Sequence, residues 1–223
     1  MATAAAPAEA PARKQIIIEN PILNSPFEEP TQHFLFDEDG ITNHVVQKRR
    51  LSSYFVPIPQ ARKRSKQQLQ LDSEWTADRI EENAWINKLR EQVKLWRAGG
   101  YNPRPSSATK ALLEYWQRPD RDRRLFFCQL EAVETAIYIA EIADKVGQGW
   151  IDDDLRRANA GANPTLFRIA FKMATGSGKT VVMAMLIAWH ALNKLGNPQD
   201  ARFSDTFRYL PTQRESRSTW GAS

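Results

Sequence analysis

Thr165-Leu-Phe-Arg-Ile-Ala-Phe-Lys-Met-Ala-Thr-Gly-Ser-Gly-Lys-Thr180 changes its pattern twice within sixteen positions. Leu166 to Met173 alternates well enough to predict a strand. Two glycines then alternate with a threonine and a serine, which is turn chemistry. From Val181 to Leu195 the chain is apolar and helical in length, and Gly196 followed by Pro198 supplies a stop. Strand, glycine-rich turn, Lys-Thr and helix together form an arrangement suited to phosphate.

Each residue type has a reason to be there. Gly176 and Gly178 let the backbone curl so that successive amides face one anion, a path that a Cβ would obstruct. The start of the helix adds unpaired donors and a partial positive charge at the same point. Lys179 is placed to reach β and γ phosphates, and the Thr180 hydroxyl is placed to ligate a bridging magnesium. The pattern G-x-x-x-x-G-K-[ST] is incomplete, because Met173 stands where its first glycine would be. The nearly continuous apolar character of the helix predicts that it is covered on more than one side.

Working outward, Phe126 to Val146 carries apolar residues at helical spacing and stops at Gly147. A helix is predicted over Ala77 to Ala98 from Ile86, Leu89, Val93 and Trp96, with Gly99-Gly100 as its stop, and a shorter one from Ser107 as N-cap to Trp116. The tryptophans at 75, 85, 96 and 116 follow helical spacing, which reads as packing between helices in preference to a base-stacking surface. Nearer the start, Phe34 to Phe36, Asp37-Glu-Asp-Gly40 and Ile41 to Val46 predict two strands and a turn. Asp152-Asp-Asp154 reads as a solvated turn capping the next helix.

The whole chain has 223 residues, a formal net charge of +5, 42% hydrophobic residues and one cysteine. That length suits one to two domains with a real core. A single cysteine excludes an internal disulfide framework, and His33, His44 and His190 lack partners at metal-ligand spacing. No apolar run approaches the ~20 residues of a membrane helix, and without a signal sequence the expected compartment is the cytoplasm. Positive charge concentrates at Lys48, Arg49, Arg50, Arg62, Lys63, Arg64 and Lys66, in a stretch free of acidic residues. That stretch is open to two readings, a solvated linker or a contact with DNA phosphates.

Met173-Ala-Thr-Gly-Ser-Gly-Lys-Thr180 resembles the nucleotide loop of superfamily-two (DEAD/DEAH-type) helicases and translocases. Upstream, Arg124-Leu-Phe-Phe-Cys-Gln-Leu-Glu-Ala-Val133 resembles the aromatic-then-glutamine motif with which these motors recognise adenine. Asn24-Ser-Pro-Phe-Glu-Glu-Pro30, Ser52-Ser-Tyr-Phe-Val-Pro57 and Phe203-Ser-Asp-Thr-Phe207 extend the likeness to the beginning of the Res subunit of type III restriction enzymes. This resemblance implies an α/β fold: an incomplete RecA-like P-loop NTPase lobe over residues 121–207, preceded by a helical region (71–120), a β-containing region with a basic linker (16–70) and a disordered leader (1–15).

It also implies ATP and Mg2+ as cofactors, with Thr175, Gly176, Ser177, Gly178, Lys179 and Thr180 on the phosphates, Lys179 acting in hydrolysis and Thr180 on the metal. Gln129 would meet the adenine edge, and Phe126 or Phe127 would lie on or near the base. Cys128 stands where many relatives carry a tyrosine. The implied partners are double-stranded DNA and a methyltransferase (modification) subunit. The activity implied for the intact motor is ATP-driven movement on DNA coupled to endonuclease cleavage.

An Asp-Glu pair on a later strand and an arginine from a second lobe complete such a hydrolytic site. Residues 181–223 contain no such pair, and residues 208–223 are polar where an apolar strand is expected. The expectation is a truncated, inactive fragment whose reading frame is disturbed near 208. Two rivals stand beside it: a non-catalytic DNA- or partner-binding module with a remnant loop, and a related motor from another defence or repair system.

Overall fold

The computed structural model describes residues 18–37, 40–55, 80–162, 164–165 and 167–208. Strands β1 (His33–Asp37) and β2 (Gly40–Val46) pair antiparallel where the sequence predicts them. Their register shifts between Phe34 and Phe36. There the buried Thr42 hydroxyl donates to the Leu35 carbonyl at 2.8 Å, bonding an acceptor at the irregularity.

A second antiparallel pair joins β3 (Ser53–Phe55) to β4 (Ile80–Glu82). The helix predicted from Ala77 therefore begins later. Asn83 is its cap, accepting from the Ile86 amide at 3.4 Å, and α1 runs over Ala84–Ala98. Asn87 on its first turns clasps Ser52 through both amide atoms, accepting from the Ser52 amide at 2.8 Å and donating to its carbonyl at 3.1 Å, so β3 is tied to α1.

Helix α2 (Ser107–Trp116) is capped by Ser106 and not by Ser107: the Ser106 hydroxyl oxygen accepts from the Thr109 amide at 3.1 Å. Helix α3 (Phe127–Ile137) continues through a π-helical turn at Tyr138–Ile142 and a 3-10 turn at Asp144–Val146, and ends on Gly147 at φ 69°. Helix α4 (Trp150–Ala162) contains Asp152, Asp153 and Asp154. The triplet is part of the helix, with Asp152 and Asp154 paired to Arg156 and Arg157, rather than a turn before it. Helix α5 (Lys179–Gly196) closes the described helices.

The core forms where α1, α2, α3 and α5 meet. Leu89, Val93 and Trp96 of α1, Leu113 and Trp116 of α2, Val133 and Ile137 of α3, and Val182, Met185 and Trp189 of α5 are all buried. Trp96 and Trp116 are core residues and the partly buried Trp85 packs against the core cluster, so these three tryptophans are packing groups; Trp75 lies outside the described residues. Each such burial contributes roughly 1.5–3 kcal/mol.

Two sequence expectations are corrected here. Residues 167–173 form no strand, because no neighbouring backbone among the described residues bonds to them; Leu166 lies outside those residues. Helix α5 is covered on one face only. Val182, Met185, Trp189 and Asn193 are buried, whereas Val181, Ile187, Leu192 and Leu195 are exposed.

The described residues thus combine helices with a few short strands, and both sheets are two-stranded and antiparallel. No described helix is long and apolar enough to cross a membrane.

Candidate phosphate-binding loop

The loop is built by glycine conformations. Gly176 and Gly178 both take φ 80°, in the left-handed region that favours glycine, and Gly178 is the residue from which α5 starts. Its carbonyl accepts from the amides of Val181 (2.9 Å) and Val182 (3.2 Å). Ala174 anchors the other end. Its carbonyl accepts from the Ser177 amide at 3.4 Å, the Ser177 hydroxyl at 2.7 Å and the Lys179 ammonium at 3.0 Å.

Among the described residues the amides of Thr175, Gly176, Gly178, Lys179 and Thr180 have no hydrogen-bond acceptor. Five main-chain donors therefore gather around one exposed lysine at the start of an 18-residue helix. Such a concentration of donors and positive charge suits an anion with several oxygens. Thr180 is exposed in the first turn of α5, which fits the metal-ligand role expected of its hydroxyl.

Gln129 is brought to this loop by α3. It is buried, its amide nitrogen donates to the Ser177 carbonyl at 3.0 Å, and its amide oxygen accepts from the Phe126 amide at 3.0 Å. Contact with Gly178 is close: a Cβ there would fall 2.1 Å from Gln129 Nε2. The glutamine is thus braced against the loop backbone. Cys128 also borders the loop, with Sγ 3.9 Å from the Ser177 carbonyl, and burial pushes its thiol pKa up.

Phe127 is not brought to the loop. Two positions along a helix lie about 200° apart in azimuth, so Phe127 and Gln129 project to opposite sides of α3. The Phe127 ring sits between two guanidinium groups, Arg97 at 5.0 Å and Arg49 at 5.5 Å from its centroid. Phe126 packs on Phe27, with ring centroids 5.7 Å apart.

The basic stretch is partly consumed by structure. Arg49 forms a two-pronged pair with Glu131 of α3, both bonds 2.6 Å, and also meets Glu29 at 3.4 Å. Burial works against its charge, and the Glu131 bonds outweigh that cost and raise its pKa. Arg50 lies 4.5 Å over the Phe36 ring. Arg62, Lys63, Arg64 and Lys66 lie outside the described residues.

Two buried carboxylates brace the helices around the core, and their roles are not legible in the sequence. Glu134 of α3 accepts from Arg97 Nε at 2.8 Å and from the Tyr101 hydroxyl at 2.6 Å. Glu141, carried inward by the π turn, accepts from the Ser106 amide (2.8 Å), the Thr109 hydroxyl (2.6 Å) and the Trp189 indole (2.9 Å). It thereby fixes the middle of α5 to α2. Among the described residues no group of three or more His, Cys, Asp or Glu side chains is placed to hold a metal. Compared with protein-family models, with curated proteins and with solved structures, the chain matches none.

Proposed function

We propose that residues 174–180 bind the phosphates of a nucleoside triphosphate with magnesium, and that the chain is the nucleotide-binding part of an ATP-dependent DNA motor of the type III restriction kind. The observation that carries the reading is the set of five unpaired amides around Lys179, at the head of α5. Lys179, whose ammonium lies on the Ala174 carbonyl, would hold a phosphate oxygen, and the exposed Thr180 hydroxyl would hold the magnesium, which would supply charge neutralisation at the phosphates. Gln129 holds the loop backbone against α3. ATP supplies the free energy for movement in such a motor. The assignment to restriction systems, with double-stranded DNA and a methyltransferase subunit as partners, rests on the sequence resemblance alone.

Titration of the chain with Mg-ATP by calorimetry tests the nucleotide reading. Lys179→Ala removes a charge-assisted contact of about 1.5–3 kcal/mol and should weaken binding about tenfold or more. Equal affinity for wild type and variant would refute it.

A further inference from the structure

Residues 169–173 lead into the loop, and their main chain is unsatisfied. Among the described residues none of the N–H or C=O groups of Ile169, Ala170, Phe171, Lys172 or Met173 is hydrogen-bonded. Just before them the same need is met by a side chain. Asn159 of α4 accepts from the Arg168 amide at 2.7 Å and donates to the Arg168 carbonyl at 2.9 Å, as a neighbouring strand would. From Ala170 onward exposure alternates: Phe171 and Met173 pack toward the core, and Ala170, Lys172 and Ala174 are exposed, while Ile169 ahead of them is exposed as well. The segment therefore has the side-chain pattern of a strand, one paired residue, and then five unpaired ones. Unpaired strand-like backbone is a template for another chain.

This backbone lines a cleft of about 1170 Å³ whose other walls include Trp85 and Leu89 of α1 and Ala132 of α3. That exceeds the ~300–1,000 Å³ of ordinary small-molecule pockets. Arg168, Lys172 and, from α1, Arg90 reach the cleft and make no ion pair among the described residues. Its acids are neutralised: Glu131 is held by Arg49, and Asp154 by Arg157. Burial and the neighbouring Arg49 disfavour the Arg90 charge, and Glu131 partly offsets them.

The geometry points to a docking site in which an acidic segment of another polypeptide adds as a β-strand along residues 169–173 and fills the cleft. Main-chain bonds would supply affinity, and alternating side chains would supply specificity, as in strand addition generally. Apolar residues of the occupant would face Trp85 and Leu89, and its carboxylates would face Arg90, Arg168 and Lys172. A second copy of this chain is a poor occupant, because pairing residues 168–172 with themselves sets like charges against each other.

The test uses the full 223-residue chain and a synthetic peptide alternating valine with glutamate. A valine–lysine peptide and a valine–glutamate peptide N-methylated at every residue serve as controls. Hydrogen exchange of residues 169–173 should slow with the glutamate peptide, at about tenfold lower concentration than with the lysine peptide, and not with the methylated one. The doubly substituted variant Arg168→Glu, Lys172→Glu should reverse the preference. Unchanged exchange at 169–173 under saturating peptide, or equal protection by both charges, would overturn the proposal. So would protection in the free chain that grows with protein concentration, since copies would then be pairing with each other.

Discussion

Gly178 is fixed by two separate demands. Its φ of 80° costs a side-chain-bearing residue strain of about 1–3 kcal/mol, and a Cβ would also collide with Gln129 Nε2. Gly176 shares the φ but faces open space. Gly178→Ala should therefore lower stability by about 2 kcal/mol or more, Gly176→Ala by about 1 kcal/mol. In a Gln129→Ala background the two costs should converge, and urea unfolding of the three single and two double variants measures the coupling. At Cys128, burial stabilises the neutral thiol, so thiolate forms only above the ordinary range of a free cysteine. Alkylation by iodoacetamide at neutral pH should be slower than for a free cysteine peptide, with the rate rising at higher pH. A rate equal to the peptide's at every pH would contradict this.

At the scale of elements, helix α5 takes its position from polar bonds as much as from apolar burial. Trp189 donates to both Glu141 and Thr109, and Asn193 donates to Thr109 at 2.9 Å. Glu141→Ala leaves the Ser106 amide without its acceptor and removes a partner from Trp189, a loss of about 2–3 kcal/mol in chemical denaturation. Glu141→Gln keeps one acceptor oxygen and should cost less. Equal stability of wild type and Glu141→Ala would show that the network does not hold α5 in place.

These carboxylates also show where the sequence stops being readable. A glutamate on a helical pattern looks like a surface residue until its partners, thirty or more positions away, are known. The helices themselves were readable, because Leu89, Val93 and Trp96 state their period locally and Gly99 and Gly147 mark ends. The strand over 166–173 was over-read. Alternation specifies a face, but a strand requires a neighbouring backbone to bond with, and none among the described residues supplies it. The β3–β4 pair was missed because each strand has three residues, too few to show a period, and they meet across a long span of chain.

For the whole molecule, the loop motif was legible because glycine conformation, lysine and helix start are local features. What remained hidden was the use of the surrounding residues. Arg49 reads as part of a basic run open to two uses, a solvated linker or a contact with DNA phosphates, and in the fold it pairs with Glu131 of α3. Phe126 or Phe127 reads as a ring on or near the base, and the neighbours that the sequence leaves unstated are Phe27 for Phe126 and Arg49 and Arg97 for Phe127. Apolar helix α5 reads as enclosed, yet Val181, Ile187, Leu192 and Leu195 line its open side.

The central claim is that the amides of Thr175, Gly176, Gly178, Lys179 and Thr180 form one anion cradle. Amide-resolved NMR of the 15N-labelled chain, titrated with Mg-ADP and in parallel with adenosine, addresses it directly. The account predicts that Mg-ADP shifts these five resonances together, that adenosine leaves them in place, and that Lys179→Ala weakens the response. Shifts absent from all five under saturating Mg-ADP, or reproduced in full by adenosine, would contradict it.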